Sequence, residues 1–314
     1  MTARSVAALE LRTAARSSRL RVIVTSTTIG LCAVCLAVYA LARRIRHGAD
    51  VSATLTANVG RLLSHVVLFL VLVALCVAIP PLAAASIAEE RERATLVPLL
   101  ASQARPSAIV IGKMLAIVAR ILCMLVAVVP FLAIAHLLGG VSPRELIRGM
   151  ASIFASSVLM ASLCVAASSV MRRASGALVA GYAMIGVLVV GSLAIFGAQA
   201  VILGTTNAKR INHTAIALNP FVTTADAISG PTGTEDRFLT PFAPFEALIG
   251  DRITLLDEIG LITDGFRVTR QQRFAERRSR RLWVDGIVVS LAVSVGAGAF
   301  AARRLRLPDA RDRR

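Results

Sequence analysis

A burst of charge, Glu89-Glu90-Arg91-Glu92-Arg93, separates two apolar runs that are each long enough to cross a bilayer. The stretch from Pro80 to Lys113 reads PPLAAASIAEERERATLVPLLASQARPSAIVIGK. A helix of small apolar residues ends at Ala88, an amphipathic segment follows the charges, and a new apolar run begins at Met114. Charged side chains lose their water in hydrocarbon, so this segment is excluded from lipid. It lies on the membrane surface or docks against a partner.

Membrane-length apolar runs recur along the chain. Spans are predicted at about 22–42, 62–88, 114–138, 147–171, 177–203 and 282–301. The reading is an all-α, polytopic membrane helical bundle in which residues 1–314 form a single transmembrane domain. A hydrophobic fraction of 56% and a mean hydropathy of +0.73 exclude a soluble domain. The net charge of +17 does not indicate a nucleic-acid binder, because the arginines sit between apolar runs instead of forming one basic face. That placement suits loops facing anionic headgroups of the lipid bilayer.

Five arginines between Arg4 and Arg21, with interspersed Val6, Leu9, Leu11 and Leu20, predict an amphipathic N-terminal helix at the interface. The first span carries Ala40-Leu41-Ala42, which has the form of a signal cleavage site. Its apolar run exceeds a signal-peptide core and further spans follow, so it reads as uncleaved. Pro80-Pro81 removes two backbone donors near the end of the second span and predicts a kink there. Gly139, Gly140 and Pro143 predict a tight turn, and Arg172-Arg173 with Gly176 a second, basic one.

Two features inside the spans invite a pathway reading. Arg120 lies seven residues after Lys113, on the same helix face. It either snorkels to the interface or lines a polar path. Ser152, Ser156, Ser157, Ser162, Ser168 and Ser169 stud the fourth span. Small residues let helices approach closely in lipid, and Ser156 could equally face a path.

Residues 205–281 form one long polar loop, with helical apolar spacing from Phe245 to Ile259 and an arginine cluster from Arg267 to Arg281. Trp283 anchors the entry to the last span, and Asp285 lies near its outer end. With a cytoplasmic N-terminus, 17 Lys and Arg fall inside and six in the short outer loops, while the long loop adds 11 outside. Seven of those 11 lie close to the last span, which strains the assignment. A re-entrant hairpin bent near Gly191 would relieve it by bringing the long loop inside.

No catalytic constellation emerges. Carboxylates in the long loop, among them Asp226, Asp251 and Asp264, have no recognisable nucleophile or His partner, and no HExxH is present. Gly112-Lys113 superficially matches a phosphate-binding loop. Ser107 stands at the place of its first Gly, however, and Met114 at that of its magnesium-binding hydroxyl. Cys32 and Cys35 share a helix face but lack a His partner or a second CxxC, so no metal or other cofactor is predicted. Asn212-His213-Thr214 is a glycosylation sequon, meaningful in a eukaryotic secretory pathway only.

Taken in order, Glu90, Glu92, Thr95, Leu99-Leu100, Ile109 and Gly112-Lys113 resemble the signature of permease subunits of type-2 ABC exporters. The chain departs from that pattern at Ala94, where Gly is usual, and at Gln103, where Pro is usual. The resemblance extends to the basic N-terminus, the LLGGVSP turn at 137–143 and Asn219-Pro220.

It implies six transmembrane helices and a cytosolic coupling helix within a coupling segment at 89–113. Leu96, Leu99 and Leu100 would seat in a groove of a separate ABC ATPase subunit, with Glu90, Arg91, Glu92, Arg93 and Thr95 setting register. It also implies a second permease copy or a paralogue, residence in the cell membrane with both termini cytoplasmic, and no ATP hydrolysis by this chain. Two other classes remain at this point: a non-transporting scaffold or sensor, and a membrane enzyme acting on lipid.

Overall fold

The computed structural model describes residues 18–46, 53–92, 106–195, 197–198, 214–228, 241–242, 244–245 and 282–306. Among them every regular element is helical. The helices are α1 (Ser18–Arg46), α2 (Ala53–Ala83), α3 (Ala85–Glu92), α4 (Pro106–Leu137), α5 (Pro143–Val170), α6 (Ala174–Gly186), α7 (Thr214–Ala217), α8 (Pro220–Ile228) and α9 (Leu282–Arg306). A π-helical turn, Val187–Gly191, continues α6.

Among the described residues, five helical stretches are long and apolar enough to cross a membrane: Ala57–Glu92, Ser107–Leu137, Pro143–Val170, Ala174–Ile195 and Leu282–Leu305. Within α1 the apolar part Thr25–Ala37 is shorter. The observed helices overrun the predicted spans at their polar ends, because a helix continues past the hydrocarbon wherever its backbone bonds are satisfied.

α4, over the third predicted span, shows this most clearly. It starts at Pro106, eight residues before the predicted span, with Pro in the first turn where its missing N–H costs nothing. Glu89 to Glu92 likewise complete α3. The 89–113 segment is thus divided, and its part between helices is 93–105, outside the described residues.

The predicted kink falls slightly later than the prolines. α2 runs through Pro80 and Pro81 and breaks at Ala84, whose N–H donates to the Pro80 carbonyl at 2.8 Å. The helix α6 passes through Gly191 as a π turn and does not fold back there. A single inserted residue in the hydrogen-bond ladder is absorbed by one widened turn.

The turn between α4 and α5 is built as the glycines suggest. Gly139 and Gly140 have φ of 90° and 82°, a region that residues with a Cβ avoid. Ser142 then caps α5. Its Oγ accepts from the Glu145 N–H at 3.3 Å, while Glu145 Oε2 accepts from the Ser142 N–H at 2.9 Å. The Arg61 guanidinium donates to the Gly140 carbonyl at 3.0 and 3.2 Å, fastening the start of α2 to this turn.

α5 is the axis of the bundle and touches α2, α3, α4, α6, α8 and α9. Its buried face is largely Ser and Ala, from Ser152 to Ser169. In lipid such a face works by close approach and dispersion, since burial from hydrocarbon gives no hydrophobic gain. The outward faces are the reverse of a soluble protein: Val126, Val179, Val187, Val190 and Val295 are all exposed.

Candidate functional site

The break at Ala84 leaves the first N–H groups of α3 without helical partners. A side chain 80 residues away takes them. Ser168 Oγ, on α5, accepts from the N–H of Ile87 at 3.1 Å and of Ala88 at 2.9 Å. A Ser lies at this point because a larger side chain would hold α3 off α5, and Ile87, Ala88 and Ser168 are all fully buried.

Three residues of the charge burst then bond to neighbouring helices. Glu90 Oε1 accepts from Lys113 Nζ at 2.7 Å, and the same ammonium donates to the Ser86 carbonyl at 2.9 Å. The Arg91 guanidinium donates to the Met171 carbonyl at 3.2 Å and reaches the Ser169 carbonyl at 3.5 Å. Glu92 Oε2 accepts from the Ala174 N–H at 3.0 Å. The signs are those the helix dipoles demand: a cation at the carbonyl end of α5 and a carboxylate at the N–H end of α6.

Sequence reading expected these side chains to set register on a partner. The signal it missed is Lys113. An ammonium one turn inside an apolar run needs an anion within reach, and Glu90 is the acid that α3 and α4 bring to it. Arg93, Thr95, Leu96, Leu99 and Leu100 lie outside the described residues.

The two residues expected to line a pathway are not brought together with this cluster. Arg120 follows Pro106 by fourteen residues, about 21 Å along α4, and is partly buried. Ser156 is 3% exposed on the central helix α5.

The opposite end of the bundle carries a second polar network. Asn219 caps α8: its Oδ1 accepts from the N–H of Phe221 at 2.9 Å and of Val222 at 3.3 Å, with Pro220 in the first helical position. Its Nδ2 donates to the Val189 carbonyl and to Ser192 Oγ, both at 2.9 Å. Val189 lies in the π turn, where a carbonyl loses its regular helical partner. One buried amide therefore closes both an N-terminus and a widened turn.

α8 is nine residues long, too short to span, and eight of its residues are buried. Phe221 stacks on Phe245 with ring centroids 5.2 Å apart, and Phe69 meets Phe221 and Phe242. The helix predicted from Phe245 to Ile259 is described only at Phe245; the rest lies outside the described residues.

Trp283 does more than anchor. Its backbone N–H donates to Asp226 Oδ2 at 2.8 Å, and the Arg148 guanidinium lies over its ring at 5.8 Å. Burial raises the Asp226 pKa, and the Trp283 N–H partly offsets this. Asp285 is exposed in the first turn of α9. Among the described residues no group of three or more His, Cys, Asp and Glu converges to hold a metal.

The family model described as "ABC-2 family transporter protein" matches residues 4–256 of the chain. No curated protein matches it.

Proposed function

We propose, from the premise that this chain belongs to the ABC-2 transporter family, that it is the permease subunit of an ABC exporter driven by a separate ATPase. Family membership and its apolar helices make it a multi-pass membrane protein and a transporter component. The further steps, to an exporter and to its coupling, are our reading.

The observation that carries it is the way 93–105 is held. On one side α3 is clasped to α5 and α6, and on the other Lys113 ties the start of α4 to Glu90. Anchored flanks are what a segment that passes force into the bundle requires. Leu96, Leu99 and Leu100 would be the groove contacts with the ATPase, with Arg93 and Thr95 beside them. Glu90, Arg91 and Glu92 would fix the segment from within.

In this reading α1 is the sixth span, both termini are cytoplasmic, and residues 1–314 act as one permease domain in the cell membrane. The chain does not hydrolyse ATP; Ser107 and Met114 stand where a phosphate-binding loop needs Gly and a hydroxyl. A second copy or paralogue would complete the path, its contact drawn from the outward apolar faces of α4, α6 and α9. Arg120, a charged residue within a membrane-crossing helix, is the residue that would face cargo, together with Ser156 on α5.

The test is co-purification with the ATPase, comparing wild type with Leu99→Asp/Leu100→Asp. Two carboxylates in an apolar groove should abolish the complex while membrane insertion is kept. Retention of the ATPase by the double variant, or no retention by wild type, would sink the coupling reading in favour of a non-transporting scaffold.

A further inference from the structure

We infer that Arg91 and Glu92 are positioning residues that pass movement of the coupling segment into the turn between α5 and α6. The fourth and fifth spans then move with the second and third. The inference rests on the coupling reading above and names how that motion leaves the segment.

Three observations carry it. First, α3 is a short helix, eight residues and about 12 Å long, set off from α2 only by the one-residue turn at Ala84. Residue 93 follows Glu92 directly, so any displacement of 93–105 acts first on the last turn of α3.

Second, α3 grips both α5 and α6. Ser168 takes two of its N–H groups, Arg91 reaches two carbonyls at the end of α5, and Glu92 takes the first N–H of α6. A displacement of α3 would carry these groups with it.

Third, the element gripped cannot absorb the movement. Only Met171, Arg172 and Arg173 separate α5 from α6. Arg91 holds the near side of that turn and Glu92 the far side, each with the charge that the helix end attracts. A three-residue turn held at both sides transmits a push to both helices.

The test uses the permease–ATPase complex in lipid vesicles and a charged maleimide. The five native cysteines lie in apolar runs, where that reagent is excluded. Reporter cysteines are placed one at a time: Ser102→Cys in the coupling segment, or Arg172→Cys in the exposed turn. Labelling rates are compared without nucleotide and with ATP and vanadate trapped.

In an otherwise wild-type chain, both reporters should change rate several-fold on trapping. With Glu92→Ala the complex should persist and the Ser102 reporter should still respond, while the Arg172 reporter loses most of its response. Glu92→Gln keeps an acceptor for the Ala174 N–H and should restore part of it. Glu92 is exposed, so its truncation does not threaten the fold.

An Arg172 reporter that responds undiminished in the Glu92→Ala chain overturns the inference. So does loss of the ATPase on that substitution, which would make Glu92 a direct docking contact. A wild-type chain in which the Ser102 reporter responds and the Arg172 reporter does not refutes the inference alone. If neither responds, the coupling reading falls and takes the inference with it.

Discussion

Lys113 Nζ lies 2.7 Å from Glu90 Oε1, joining the end of α3 to the start of α4 across the segment that separates them in sequence. The ammonium is 4% exposed and the carboxylate 26%, so the two ends of the pair are not equivalent. Removing the acid strands a buried cation, which costs up to about 3 kcal/mol. Glu90→Ala should therefore lower the thermal midpoint in detergent more than Lys113→Met, which leaves the less buried of the two partners without its counter-ion. Glu90→Leu/Lys113→Met should recover most of the loss. Equal losses for the two single variants would show that the pair is not buried as described.

Asn219 is the corresponding fastener at the other end. Asn219→Ala removes the cap of α8, at about 1 kcal/mol, and one of the two donors to the Val189 carbonyl, which Ser192 Oγ also reaches at 3.1 Å, so the π turn adds a smaller loss. Asn219→Ser keeps a capping oxygen but cannot reach the π turn. Its thermal midpoint should fall between wild type and Asn219→Ala. A Ser variant as unstable as the Ala variant would mean that the cap contributes little.

Asp226 should make stability depend on pH. Its folded pKa is raised above the ordinary 3.8, chiefly by burial. A raised carboxylate pKa means that the folded state holds the proton more tightly, so this stabilisation is complete below 3.8 and is lost as pH rises through the folded value. Asp226→Asn keeps an acceptor for the Trp283 N–H and cannot ionise. The stability of wild type minus that of Asp226→Asn should fall as pH rises from 3.8 and then level off. A difference that rises with pH would reverse the sign and refute the burial account.

Gly286 permits the close approach of α9 to α7 and α8. A Cβ there would collide with Thr223 Cγ2 and sit 2.8 Å from the Ala217 carbonyl oxygen. Gly286→Ala should cost about 1–3 kcal/mol by forcing the helices apart. Gly298→Ala on the same helix meets nothing within 4 Å and should be neutral or slightly stabilising. The comparison of thermal midpoints separates packing from helix propensity, which favours Ala at both sites.

The helical class, the run of membrane-crossing segments and the turn at Gly139-Gly140 were legible in the sequence. Each depends on composition within one short window. Helix ends were less so, because α4 and α5 extend into polar sequence wherever a cap or a proline satisfies the first turn. Ser142 and Glu145 spell out a capping box and could have placed the start of α5. Nothing local points from Asn219 to Val189, or from Glu92 to Ala174. Those contacts join residues tens of positions apart.

What the sequence determined by itself is that the chain spans a membrane repeatedly and sets a charged segment between its second and third long helices. Hydrocarbon rejects charge and demands internally bonded backbone, so apolar length and charge position decide this before any packing occurs. Which way the charges face was decided by tertiary structure alone. Glu90, Arg91 and Glu92 bond to neighbouring helices because α3, α4, α5 and α6 converge there. Their convergence offers a buried ammonium, a carbonyl-rich helix end and an N–H-rich helix end within hydrogen-bond reach.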